Sequence, residues 1–368
     1  MSRARHASLV AIGAVALITA SACSSAKSTS GGGSTTSPSA GTASGSASSG
    51  ASAAAGGSGT SAAPSADSAK KLDISLLTTY NGLPFYTAMQ CGALDAAKKL
   101  GNVSLSVDGP SHGMNVADQT PVLNTVVSRH PDGLIFVPAD PVAMLAPVKQ
   151  AQAAGIKVVT ADATLSQQIA SAQFHADNSA GGKLAAQEML KVAAGKSGKV
   201  LVMDNRPGLP VTNQRAQGFI DAVKSTTSLH LLPTAYFQDD PTKAATIVQS
   251  TLAAHPDIVG IFATSEAGAM GAVSGLKAAG SAPGKVAVIA YDAGPELVTA
   301  LKNGALDALV AQGSYTQGYD AMTRVVEELR HDVPADAKFD NVVPNALVTK
   351  QNVDDPDIKK LLYPKSCS

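Results

Sequence analysis

The chain reads as an α/β protein made of two doubly wound, Rossmann-like parallel-sheet lobes in series. Three observations lead to that fold class. Short apolar runs bounded by turn residues alternate with amphipathic stretches of helical period. Several helical stretches stop at a glycine, as at Gly101 and Gly155. The alternation restarts after about residue 176, so the pattern is written twice. Strict strand–helix alternation needs crossover helices on both faces of parallel sheets. A length of 368 residues is enough for two such units.

The elements follow in order. Residues 72–77 form a strand, 84–100 a helix, 103–107 a strand and 118–129 a helix with Val122, Leu123, Val126 and Val127 on its inner side. Residues 133–137 are a short apolar strand, 142–154 a helix and 156–159 a strand. The second series has a helix at 183–194, a strand at 198–203, a helix at 213–224 and a strand at 231–236. It continues with a helix at 242–254, a strand at 258–262, a helix at 268–279 and a strand at 286–290. Helices at 296–302 and 317–330 flank a strand near 306–310.

Ahead of this body the chain is different in kind. Arg3 and Arg5 precede an apolar run over residues 9–20, and Ala20-Ser21-Ala22-Cys23 follows. That is the layout of a secretory signal peptide, with a core too short to span a membrane. The four residues ending in Cys23 are similar to a bacterial lipobox, although Ala20 stands where Leu, Val or Ile is usual. The expectation is a signal peptide over residues 1–22 and a lipidated Cys23. Residues 23–70 are then a disordered Ser/Gly/Ala tether, with almost nothing apolar to bury. A coil of about 45 residues reaches on the order of 40 Å.

Composition excludes some functions. Lys+Arg and Asp+Glu both number 28, so there is no basic excess for a nucleic-acid surface. No P-loop, GxSxG or CxxC is present, and the seven histidines show no metal-ligand spacing. No cofactor and no metal are expected. In an exported protein Cys91 and Cys367 are the cysteines left to pair, and a Cys91–Cys367 disulfide pinning the tail to the first lobe is the expectation.

Ligands of doubly wound sheets bind beyond the carboxyl ends of the strands. The residues there include Thr78 to Tyr86, Asp162, Asp204 to Arg206, Gln238 to Asp240, Thr264 to Glu266, Tyr291, Asp292 and Gln312. Carboxylates and amides suit vicinal hydroxyls, and flat rings suit the C–H face of a sugar.

Several of these segments carry a family likeness. They are Pro84-Phe85-Tyr86, Asp132-Gly133-Leu134-Ile135, Ala154-Gly155-Ile156-Lys157-Val158-Val159, and Ala176-Asp177-Asn178 with Gly181-Gly182. Further along stand Arg215-Ala216-Gln217-Gly218-Phe219, Ala254-His255-Pro256-Asp257, Tyr291-Asp292 and Ala311-Gln312. In order and spacing, residues 72–349 resemble the ribose-binding branch of the type I periplasmic binding proteins. The resemblance implies a three-crossing hinge near Ala176-Asp177, Gln312-Gly313 and Asp340. It implies a first lobe of residues 71–176 plus 313–340 and a second of 177–312 plus 341–355, with 356–368 as a C-terminal tail. Phe85 and Tyr86 take the place of the aromatic wall, Asp162 of the first-lobe carboxylate and Arg215 of the second-lobe guanidinium. Asp239, Ser265, Glu266, Tyr291, Asp292 and Gln312 take the remaining second-lobe positions.

The departures concern the ligand. The arginine that follows the first-lobe aspartate in the family is Ala163 here, the asparagine before the Pro-aromatic pair is Leu83, and the second-lobe aromatic is replaced by Asp239 between Gln238 and Asp240. The function expected is a monomeric, lipid-anchored receptor that passes a small sugar or polyol to an ABC permease and its ATPase. A sensor docking to a membrane signalling receptor is the alternative. A carboxylate pair cleaving glycosides is a more remote one.

Overall fold

The computed structural model describes residues 70–111, 114–226 and 228–367. The signal peptide, Cys23 and nearly all of the tether lie outside the described residues.

The first sheet uses β1 (Leu72–Leu77), β2 (Val103–Asp108), β3 (Gly133–Phe136), β4 (Lys157–Ala161) and β5 (Gln173–Ala176). Its helices are α1 (Pro84–Leu100), α2 (Val116–Ser128) and α3 (Leu145–Ala153). The second sheet uses β6 (Gly198–Asp204), β7 (Leu229–Leu231), β8 (Ala235–Tyr236), β9 (Ile258–Ala263), β10 (Ala287–Tyr291) and β11 (Ala308–Ala311). The helices of this half are α4 (Asn178–Val192), α5 (Pro210–Lys224), α6 (Pro241–Ala254), α7 (Glu266–Ala278) and α8 (Pro295–Lys302). The chain then returns through α9 (Ser314–Leu329) and β12 (Asp340–Val343), crosses to β13 (Ala346–Thr349), and ends with α10 (Pro356–Lys359) and a tail.

The strand orders are β12-β5-β4-β3-β1-β2 and β13-β11-β10-β9-β6-β7, with β8 also on β6. All pairings are parallel except β11 with β13. These are the two doubly wound lobes. In the first, α1 and α9 cover one face, where Met89, Ala93 and Val325 meet Ile135 and Val159. On its other face α2 and α3 bury Leu123, Val126 and Val148 against Leu134, Phe136 and Val158. In the second, α4 and α5 cover one face and α6, α7 and α8 the other. Burying both faces explains why these strands read as continuous apolar runs rather than alternating ones.

Helix ends follow local chemistry. Pro84 opens α1, and Lys98 and Lys99 lie in its last turn before Gly101 at φ 66°. Asp177 caps α4 through Ala180 N–H, and Asp240 caps α6 through the N–H groups of Thr242 and Lys243.

Two expectations need correction. The single strand read over residues 231–236 is two, β7 and β8, because Pro233 has no N–H to donate and interrupts the ladder. The first lobe extends to Val343 rather than 340, because β12 pairs with β5 from Asp340↔Gln173 through Val343↔Ala176. The third crossing therefore falls at Pro344-Asn345. The C-terminal tail, expected to be pinned to the first lobe, is also packed: Tyr363 is buried with 3% exposure and belongs to the hydrophobic cluster that includes both α1 and α8 residues.

Candidate functional site

The carboxyl ends of both sheets face one cleft of about 840 Å³. On the first-lobe side stand Thr79, Phe85, Tyr86 and Asp162. Phe85 and Tyr86 pack edge to face at 5.1 Å. The Tyr86 hydroxyl lies 2.6 Å from Thr79 Oγ1 and donates to Asp162 Oδ2 at 3.3 Å. The Asp162 N–H is held by Gln317 Oε1 of α9 at 3.1 Å.

On the second-lobe side Arg215 rises from the second turn of α5 and is 3% exposed. It donates from Nε to Asn178 Oδ1 at 2.9 Å, from Nη1 to the Thr264 carbonyl at 3.0 Å and from Nη2 to Gln312 Oε1 at 2.7 Å. Its guanidinium lies 4.0 Å from the centre of the Tyr291 ring. Gln312 donates from Nε2 to Asp292 Oδ1 at 2.5 Å, and Asp292 Oδ2 accepts from the Glu266 N–H at 3.1 Å. Asp292 thus meets the first N–H of α7, not the start of α8. The chain Asn178–Arg215–Gln312–Asp292–Glu266 fixes the wall before any ligand arrives.

Four of the seven non-glycine residues at positive φ lie in this cleft or beside it: Asp162, Gln238, Asp239 and Asp292. The left-handed region is costly for side-chain-bearing residues and is favoured mainly for Asp and Asn among them. Its concentration here is the pattern of a binding site whose side chains are aimed by backbone strain. Pro233 contributes to the aim. After the break, β8 rejoins β6 at Met203↔Ala235 and Asp204↔Tyr236, which delivers Gln238 and Asp239 to the rim.

Burial raises several acids. Asp162 is pushed up to about 6, chiefly by desolvation, with Arg215 opposing and Asp292 adding to the shift. Glu266 is pushed up to about 8 by desolvation and then by Asp292 and Glu296. Asp239 is raised by desolvation and by Asp292, against Arg206.

Of the residues expected from sequence, Phe85, Tyr86, Asp162, Arg215, Asp239, Ser265, Glu266, Asp292 and Gln312 all line the cleft. Tyr291 does not. Side chains alternate along β10, so Tyr291 turns to the α4 side, fully buried, while Asp292 faces the cleft. The Tyr291 hydroxyl donates to Asn345 Oδ1 at the third crossing, 3.0 Å away. Its role is a floor for Arg215. The sequence reading missed Thr212, Tyr363 and Lys365. Thr212 was signalled by its place one turn before Arg215. Tyr363 had no local signal: its hydroxyl accepts from Gln312 N–H and donates to Asp292 Oδ1, each at 3.3 Å.

Cys91 on α1 and Cys367 are joined as a disulfide, with Cα atoms 5.1 Å apart. Among the described residues no cluster of three or more His, Cys, Asp or Glu is arranged to hold a metal ion.

The family whose description is periplasmic binding protein domain matches residues 74–332. The chain belongs to that family. Among curated proteins, the ribose import binding protein of Salmonella typhimurium is 31% identical over 248 residues, 67% of this chain and 81% of that protein. Two solved structures of ABC transporter solute-binding proteins from Agrobacterium vitis superpose over their whole length. One, bound with alpha-D-tagatopyranose, has a TM-score of 0.74, 28% identity and covers 80% of this chain. The other, with bound D-fucose, has a TM-score of 0.73, 31% identity and covers 79%. This periplasmic binding protein is thus of type I, with its cleft where the two lobes' strand ends meet.

Proposed function

We propose that this periplasmic binding protein captures a small sugar or polyol in the interlobe cleft and delivers it to an ABC permease. The observation that carries the reading is the braced chain from Arg215 through Gln312 to Asp292. It stands in one cleft with the Phe85 and Tyr86 rings and Asp162. Fixed acceptors and donors opposite aromatic carbon suit a ligand with polar edges and apolar faces. The sugar and transporter associations of the relatives support it. The protein is exported, anchored through Cys23 and acts as a monomer; the Ala20-Ser21-Ala22-Cys23 segment supports the anchor. It holds and releases its cargo and does no chemistry on it. Lobe closure about the three crossings reports occupancy to the permease.

A thermal-shift screen of the purified protein against pentoses, hexoses and linear polyols, with amino acids and nucleosides as controls, tests this. A ligand at about 100 times its Kd adds about 2.7 kcal/mol of stability, an easily read shift. A sugar or polyol response abolished by Asp292→Asn or Arg215→Ala supports the reading. Response to amino acids or nucleosides alone overturns the ligand class.

A further inference from the structure

The cleft is rich in acids and poor in counter-charge. Asp162, Asp239, Glu266, Asp292 and Glu296 all line it, against two cations, Arg215 and Lys365. Lys365 is taken by Glu296 at 3.1 Å. Each hydrogen bond of Arg215 goes to a neutral acceptor: Asn178 Oδ1, the Thr264 carbonyl and Gln312 Oε1. Arg206, beside Asp239, donates to the Met114 carbonyl at 3.4 Å.

The other four carboxylates are not equally provided for. Asp292 is met by the Glu266 N–H, Gln312 and Tyr363. Asp162 is met by Tyr86. Asp239 has Asn205 Nδ2 at 3.3 Å. The Glu266 carboxyl accepts no hydrogen bond from the described residues and lies over Gly294, where a Cβ would collide with both its oxygens. A second, independent observation stands on the same lobe. Thr212 Oγ1 is buried, its residue 6% exposed, lines the cleft and has no partner. Ser265 Oγ, next to Glu266, is likewise buried and unpartnered. A polar atom buried without a partner is costly, and Thr212 Oγ1 and Ser265 Oγ are two such atoms on the lobe that carries the half-buried Glu266 carboxyl.

A neutral hydroxyl brings one proton to donate and lone pairs that want donors in return. An ammonium group brings three N–H donors, no acceptor and a positive charge. We propose that the solute is an amino sugar or amino polyol whose protonated amine seats against Glu266, on the wall that Glu266 shares with Asp292 and Asp239. Its hydroxyls then meet Thr212, Asp162 and Tyr86, and its carbon face meets Phe85. The carboxyls of Glu266 and Asp239 are both raised by desolvation and by the neighbouring Asp292, which agrees with a site that favours a positive group. This inference rests on the sugar-receptor reading and names the ligand class within it.

Isothermal titration of the purified protein with D-glucosamine, D-galactosamine and D-mannosamine, each beside its parent hexose, decides it. D-Ribose, D-arabinose and xylitol complete the neutral set. At least one amine is expected to bind ten times or more tighter than its parent and than every neutral ligand. Glu266→Gln is expected to cut that amine-to-parent ratio at least tenfold, and Asp239→Asn is a second variant that lowers it, each with its melting transition retained. A neutral sugar or polyol binding as tightly as the amines overturns the inference and leaves the sugar receptor standing. Silence from both sets overturns both.

Discussion

Arg215 is buried with no ion-pair partner among the described residues, so its energetics depend on three neutral acceptors and the Tyr291 ring. Removing it leaves Asn178 Oδ1, Thr264 O and Gln312 Oε1 without donors in a dry site. Arg215→Ala is expected to cost about 2–4 kcal/mol of stability and to abolish ligand response, read by denaturant melts and titration. Glu266 has the opposite effect. Its folded carboxyl is raised from 4.5 to about 8, so between those values the native state holds a proton that the unfolded state has lost. Stability therefore falls as pH climbs through that window. Glu266→Gln removes the loss. The ligand-free variant is expected to match the parent protein near pH 5 and to melt a few °C higher at pH 8.5. Parallel melting curves across that range would refute the argument. Asp162, raised to about 6, adds a smaller decline of the same sign at lower pH.

At the scale of elements, the position of Arg215 depends on how closely α5 approaches α4. A Cβ on Gly182 would be driven into the Arg215 carbonyl oxygen, and one on Gly218 into the Ser179 carbonyl. The two helices touch backbone to backbone. Gly182→Ala is expected to push them apart, costing on the order of 1–3 kcal/mol, and to weaken ligand binding about tenfold by displacing the guanidinium. Melting and titration of the same preparation check both parts. The periodicities of α1, α4 and α5 are plain in the sequence because each packs a wide apolar face. Short β5, β12 and β13 escaped notice. Four residues carry too little pattern to mark a strand, and these exist because β4 and β11 leave edges for them to pair with.

Across the whole molecule, the chain crosses between lobes three times and its tail makes a fourth link. Tyr363 accepts Gln312 N–H and donates to Asp292 in the second lobe while its ring meets Phe85 of the first at 5.5 Å. Cys367 then closes onto Cys91 in α1, across a sequence separation of 276. Closing so long a loop stabilises by up to about 5 kcal/mol in the chain-entropy view. Cys367→Ser is expected to lower the melting temperature by several °C and to weaken ligand binding, because Tyr363 then loses its tether beside Asp292. A variant with unchanged melting and affinity would show that the tail docks without the bridge.

By itself the sequence determined the α/β alternation and its repetition into two lobes, and nine of the ten residues it singled out line the cleft. Those signals are local: apolar runs, helix-ending glycines, and polar residues just after strands, where a doubly wound sheet presents its ligand. Tertiary structure alone decided that Tyr291 is a floor rather than a contact, since one step along β10 selects which face a side chain takes. It alone brought Lys365 to the cleft, and Tyr363 against Asp292 and Gln312, from the end of the chain. It also left the Glu266 carboxyl and Thr212 Oγ1 without a hydrogen-bond partner among the described residues. Whether a buried polar atom is satisfied depends on groups far away in sequence, and no local pattern records it.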